Sequence, residues 1–294
     1  MIKVDFKDGD KLVRSVNIPG DWDEMTADQV RFVFQEYEKL VTGELTRRQF
    51  EVLVVYKFLG ITRGPSRKAA FDRDIINNVS ALCQCLAYLY INQDDEIPQL
   101  SFRSIQNPLR SVMAGKRALC GPATLCQDLT FGEFRNASMC LNQYFKTEDP
   151  TSLDECIAHL YRPRCSKANK AGRKVRPARV DTFDGDIRAV SQMPAWQKNL
   201  IMLWFASCIN YLQTGTLSIG GEEVELRKLF QESEEPTVHT ATWNDLLIQI
   251  AKEGSIGNTD AVDDAPLMVI LLHMWSNYKE NKRNEHNLKK AQKS

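Results

Sequence analysis

An excess of either charge is missing from this chain. Its 38 Lys and Arg residues stand against 38 Asp and Glu, so no global field draws it onto nucleic acid or an anionic membrane, and any such binding falls to a local patch. Long apolar runs are missing too. The longest, LIMLWFASCINYL from Leu200 to Leu212, has 13 residues and includes Ser207 and Asn210, short of the roughly 20 that a membrane-spanning helix needs; it reads as a buried helix. The opening residues MIKVDFKDGD alternate charged and apolar side chains and lack the apolar centre of a signal peptide. The expectation is a protein of the host cell cytoplasm with no membrane partner.

Catalytic signatures are also lacking. No GxxxxGK[ST], GxGxxG, HExxH or GxSxG occurs, and the four His residues are scattered at 159, 239, 273 and 286. The reading is a protein that is not an enzyme and uses no cofactor. The closest approach to a metal site is Cys156, His159 and Cys165, with Cys120 or Cys126 as a fourth ligand, but their spacing is not that of a paired zinc knuckle. In DTFDGD, Asp181, Asp184 and Asp186 lack the remaining ligands of a calcium loop and read as a turn. Neither is taken as a metal site. The eight cysteines, without a secretion signal, read as reduced thiols, with Cys83, Cys140, Cys156 and Cys208 on apolar helical faces. No internal repeat is visible.

What is present is ordinary globular composition, 43% hydrophobic and 26% charged, in a chain long enough for one large domain or two smaller ones. Ile2, Val4 and Phe6 alternate, Asp8-Gly9 favours a hairpin turn, and a second short strand runs to Ile18. After Pro19-Gly20 the period becomes helical. Capping boxes at Thr26–Gln29, Thr46–Gln49 and Thr130–Glu133 launch helices, because the Thr hydroxyl and the side chain three residues on each satisfy an orphan backbone donor. Asp149-Pro150 launches another, with Leu153, Cys156, Ile157, Leu160 and Tyr161 inward. Gly220-Gly221 suits a small hairpin, Glu222 to Pro236 reads as a polar mobile loop, Thr242 caps WNDLLIQIAKEG, and a last helix runs from Ala265 to about Lys290. The fold expected is mainly α: a multi-helix bundle-like domain or domains with an N-terminal β-hairpin. Its parts are residues 1–92, an irregular connection 93–129 with room for a second small ribbon, and a helical region 130–294, unless the whole is one continuous domain.

One segment breaks the charge balance. YRPRCSKANKAGRKVRPARV, 161–180, holds Arg162, Arg164, Lys167, Lys170, Arg173, Lys174, Arg176 and Arg179 with no acidic residue. These eight are the candidate anion- or partner-binding residues. Tyr161 alone could stack on a base, which disfavours single-strand or sequence-specific recognition, and the acidic DTFDGD follows directly. The stretch 162–179 reads as an exposed inter-helix loop that docks an acidic protein surface, with phosphate binding as the alternative.

Three patches together, IPGDWDEMTADQV, HLYRP at 159–163 and WNDLLIQIAKEG followed by APLMVILLHMW, resemble helical proteins of phage and prophage tail modules, of the kind encoded near tail-tube and tape-measure genes. The resemblance implies a tail assembly chaperone-like protein that binds protein partners during virion assembly, or else a structural neck or baseplate component. Nucleic-acid association through 162–179 is the alternative from a different class.

Overall fold

A computed structural model of the chain describes residues 1–61, 73–163, 183–219, 221–230 and 243–291. The fold is mainly α, with eleven α-helices among the described residues and an antiparallel hairpin at the start. Two compact units are built from interleaved segments: Met1–Leu109 with Pro194–Trp204, and Arg110–Met193 with Phe205–Ser294. The expected connection 93–129 is therefore divided between the units rather than lying outside both.

In the first unit, β1 (Ile2–Asp8) pairs with β2 (Lys11–Ile18) from Ile2↔Ile18 to Asp8↔Lys11, with a slip between Phe6 and Lys7. Asp8 is the last paired residue of its strand, so the turn falls on Gly9 and Asp10, with Gly9 at φ 58. Helices α1 (Ala27–Val41) and α2 (Arg47–Leu59) both begin in complete capping boxes, from Thr26 with Gln29 and from Thr46 with Gln49. The two are further tied by Lys57 and Asp28 at 2.6 Å. Helix α2 ends where Gly60 adopts φ 68, a conformation costly for a residue with a Cβ. It lies against α3 (Arg73–Gln84) and β2, where Arg14 Nη2 donates to the Leu59 carbonyl at 3.1 Å.

The core of this unit is aromatic. Trp22, in the GDWDE stretch, meets Phe102 edge to face at 4.9 Å and Phe34 in a tilted contact at 6.1 Å, and Ile18, Val33, Phe50, Val54 and Leu86 complete it. Trp204 is buried and donates its indole N–H to the Ile105 carbonyl at 3.0 Å.

In the second unit, a three-stranded antiparallel sheet, β3 (Ser111–Ala114), β4 (Arg117–Cys120) and the short β5 (Arg162–Pro163), lies beside a helical hairpin of α4 (Phe131–Thr147) and α5 (Pro150–Leu160). The β3–β4 ribbon occupies 111–120, not the LSFRSI stretch, which contributes a single bridge from Leu100 to Tyr90. Capping at Thr130/Glu133 and at Asp149/Pro150 follows the sequence expectation. All five inward residues named for α5 are buried, whereas Phe145 of α4 is exposed.

Two segments depart from the loops expected of them. Asp181 and Thr182 lie outside the described residues, and the other four residues of DTFDGD open α6 (Phe183–Val190), with Asp184 and Asp186 in its first turn, where carboxylates face the positive helix end. Of Glu222 to Pro236, residues 231–236 lie outside the described residues; before them β6 (Thr216–Ile219) and β7 (Glu222–Glu225) pair as an antiparallel hairpin and α8 (Arg227–Phe230) follows. Helix α7 (Ala195–Thr214) precedes them, apolar on most sides, burying Leu200, Phe205, Cys208 and Leu212. The chain continues through α9 (Trp243–Glu253), α10 (Thr259–Asp264) and α11 (Leu267–Ala291). Thr242 lies outside the described residues. No described helix is long and apolar enough to cross a membrane.

Candidate functional site

Of the eight basic residues singled out in the sequence, Arg162 is described, and it is not on a loop surface. It is completely buried in β5. The cause is local: α5 ends at Leu160, the backbone becomes extended at Tyr161, and the next two residues pair with β4 through Cys120↔Arg162 and Leu119↔Pro163. The other seven, Arg164, Lys167, Lys170, Arg173, Lys174, Arg176 and Arg179, lie outside the described residues.

Arg162 enters an ionic cluster built on the first turn of α4. Glu133 closes the capping box by accepting from the Thr130 N–H through Oε2 at 3.0 Å, while its Oε1 lies 3.3 Å from Arg162 Nε. Both side chains are fully buried, so each charge is held by the other and by hydrogen bonds. Arg162 Nε also donates to the His159 carbonyl at 3.1 Å, and its Nη2 lies 3.4 Å from His159 Nδ1. Two residues further along α4, Arg135 grips Asp263 of α10 with two parallel bonds of 3.1 and 2.8 Å and donates to Asn244 of α9. Burial, reinforced by the charges of Arg162 and then Arg135, pushes the His159 pKa down to about 3. The imidazole is neutral, with one ring nitrogen facing a guanidinium, a poor setting for a metal ligand. Asp186, one of the three aspartates of DTFDGD, is buried and paired with Arg117 at 3.0 Å.

Three of the thiols are equally quiet. Seven described cysteines are free, and Cys165 lies outside the described residues. Burial pushes the Cys83 and Cys140 thiols up to about 11, with Glu51 and Glu155 adding to the effect, and pushes Cys156 well above its ordinary value. Thiols held this way stay protonated and are weak nucleophiles. Among the described residues no group of three or more His, Cys, Asp and Glu is gathered to hold a metal ion.

Two concavities carry no mark in the sequence. One, of about 260 Å³, lies between α2 and α3 and is lined by Arg47, Arg48, Glu51, Ser80, Cys83 and Tyr90 among others. Arg47 spends its guanidinium on Glu51 at 3.0 Å and on the carbonyls of Gln93 and Asp95, and sits 5.3 Å from the centre of the Tyr90 ring. Arg48 donates to Ser80. The other is an open depression of about 480 Å³ along α9 that reaches Glu253.

At that end of α9, Ser255 Oγ and Glu253 Oε2 approach His273 of α11 at 3.2 and 2.9 Å, and Asn277 donates to the same carboxylate at 2.9 Å. Ser, His and Glu in contact suggest a nucleophile triad, but hydroxyl and carboxylate both meet Nε2. A relay needs the acid on one ring nitrogen and the hydroxyl on the other. The group works instead as a clasp between α9 and α11, with the His273 hydrogen bond foremost in holding the Glu253 carboxyl below its usual range.

What remains open is surface. The β1–β2 ribbon has no third strand among the described residues, and near its tip Leu12 and Val13 are 51% and 66% exposed. The slip in register falls there, Lys7↔Leu12 following Phe6↔Arg14 so that Val13 is the extra residue, and Lys11 to Ser15 are all exposed. Its mark in the sequence is the broken alternation of KLVR. No protein-family model matches the chain, and no curated protein and no solved structure is found to be similar to it.

Proposed function

We propose that this chain is a non-enzymatic, protein-binding component of a phage or prophage tail module, acting like a tail assembly chaperone. The observation that carries the protein-binding part is the first hairpin: two strands whose outer edges pair with no other described strand, and an exposed Leu12–Val13 tip. A lone ribbon of this kind offers main-chain donors and acceptors to a partner strand, and the apolar tip adds area to bury. The inward polar clusters support the reading from the other side, since Glu133, Arg162, Arg135 and Asp263 are committed to one another. The tail-module assignment rests on the resemblance of the IPGDWDEMTADQV and HLYRP patches and of WNDLLIQIAKEG followed by APLMVILLHMW.

Co-expression of the full chain with the proteins encoded beside it tests the proposal. A tail protein is expected to co-purify with the natural chain and to be lost, by about tenfold or more in yield, from a Leu12→Asp/Val13→Asp variant that melts like the parent. Absence of any partner, or retention by the variant, contradicts it. These two side chains are exposed, so their replacement leaves the core intact.

A further inference from the structure

Helix α11 has two halves. The first buries Leu267, Ile270, Leu271 and Trp275. From Lys279 to Ala291 every residue is exposed, and Lys279, Lys282, Arg283, Lys289 and Lys290 outnumber Glu280 and Glu285 by three charges. Their order matters more than their number. Lys279, Lys282, Arg283, His286, Lys289 and Lys290 recur at three- and four-residue steps, and at 3.6 residues per turn they fall within about a third of the helix circumference. Asn281, Asn284 and Leu288 occupy the opposite face, with Glu280 and Asn287 on one flank of the stripe and Glu285 on the other.

The stripe is held in place at its base. Glu222 of β7 accepts from Trp275 Nε1 at 3.1 Å and from Lys279, and Trp275 stacks on Tyr278 at 5.3 Å. Lys282 pairs loosely with Glu285 at 3.6 Å and lies 5.8 Å from the centre of the Tyr278 ring. Among the described residues, Arg283, Lys289 and Lys290 have no carboxylate within ion-pair reach.

This face has no apolar row, so it cannot enter a hydrophobic groove as an amphipathic helix does. What it presents is a row of cations along roughly 18 Å, of which Lys279 and Lys282 are paired with Glu222 and Glu285 while Arg283, Lys289 and Lys290 are not paired with any described carboxylate. Duplex DNA carries one negative charge per about 1.7 Å of axis, so this length of helix lies beside about ten phosphate charges. We infer that the basic face of α11 is a sequence-independent binding site for the phosphate backbone of duplex DNA. The site is separate from the ribbon and does not depend on the tail-assembly reading.

The test is fluorescence anisotropy of a labelled duplex of about 20 base pairs titrated with the full chain at several salt concentrations. The natural chain is expected to bind at low salt, with an affinity falling linearly on a log–log plot. The variant Arg283→Gln/Lys289→Gln/Lys290→Gln keeps helix propensity and is expected to bind about tenfold or more weakly, with a salt slope shallower by about 0.9 for each phosphate no longer neutralised. Unchanged circular dichroism and melting show that its fold is intact. No binding by the natural chain overturns the inference, as does a triple variant with natural affinity and slope. So does loss of binding on Arg173→Gln/Lys174→Gln but not on the triple variant, which moves the site to the basic segment. Equal binding of polyglutamate, lost in the same triple variant, also overturns it by making the face an acidic-protein dock.

Discussion

The pairing of Glu133 with Arg162 decides how HLYRP is to be understood. An arginine read from the sequence as a loop cation is instead spent inside the protein, and removing one partner leaves a buried charge without its counter-ion. Arg162→Ala is therefore expected to cost about 3 to 5 kcal/mol, measured by chemical denaturation. Replacing both, as Glu133→Gln/Arg162→Met, is expected to recover most of that loss, because an uncharged pair of similar volume removes the desolvation penalty and Gln still caps Thr130. His159 gives the same cluster a pH signature. Its folded pKa of about 3 lies below its ordinary 6.5, so the unfolded chain takes up a proton that the folded chain refuses. The contribution is complete above 6.5 and is lost as pH falls towards 3. Between about pH 5 and 6.5, before most carboxylates titrate, stability is expected to fall by up to about 1.4 kcal/mol per pH unit in the natural chain and by less in His159→Gln. Equal slopes would remove His159 from the account.

Among elements, the helices announced themselves and their neighbours did not. Thr26, Thr46, Thr130 and Asp149 were legible because a cap is a local hydrogen-bond problem with a local solution, and each accepts from the expected turn. Residue pairs far apart in sequence carry no such mark: nothing in KRALC or HLYRP indicates that Cys120 and Arg162 share a ladder, or that Arg135 reaches across to Asp263. The α4 start shows both kinds at once. Phe131 N–H donates to the Ala265 carbonyl at 2.8 Å and Leu267 N–H to the Leu129 carbonyl at 2.9 Å, so the segment joining α10 to α11 lies against the capped turn. That approach needs Gly132, where a Cβ would meet Asp263 side-chain atoms at 3.0 Å and its carbonyl at 3.1 Å. Gly132→Ala is expected to destabilise by about 1 to 3 kcal/mol, against the helix-propensity gain of about 1 kcal/mol that the same change brings at an open site. Thr130→Ala, removing the acceptor for the Glu133 N–H at 3.2 Å, is expected to cost about 1 to 2 kcal/mol, the upper part of the usual capping range, because the turn is buried. Thermal melts of the two variants check both figures.

For the whole molecule, charge neutrality hid its local structure. A balance of 38 against 38 says nothing of where the cations sit. The segment 162–179 stands out in the sequence because its charges are contiguous, whereas the basic face of α11 is interrupted by asparagines and two glutamates and emerges only when wound into a helix. The ribbon was legible as a hairpin; its exposed tip is marked in the sequence by nothing more than the broken alternation of KLVR, since the slip at Phe6 and Lys7 is a matter of pairing rather than composition. Interior charges hold the protein's own helices together, and under the proposed function the hairpin surface goes to a protein partner.

Hydrogen–deuterium exchange of the chain, alone and in complex with a co-expressed tail protein, tests that claim most directly. The account predicts that amides on the outer edges of Ile2–Asp8 and Lys11–Ile18 exchange readily in the free chain and become protected in the complex. A complex in which the ribbon exchanges as fast as in the free chain, with protection appearing elsewhere, would contradict it.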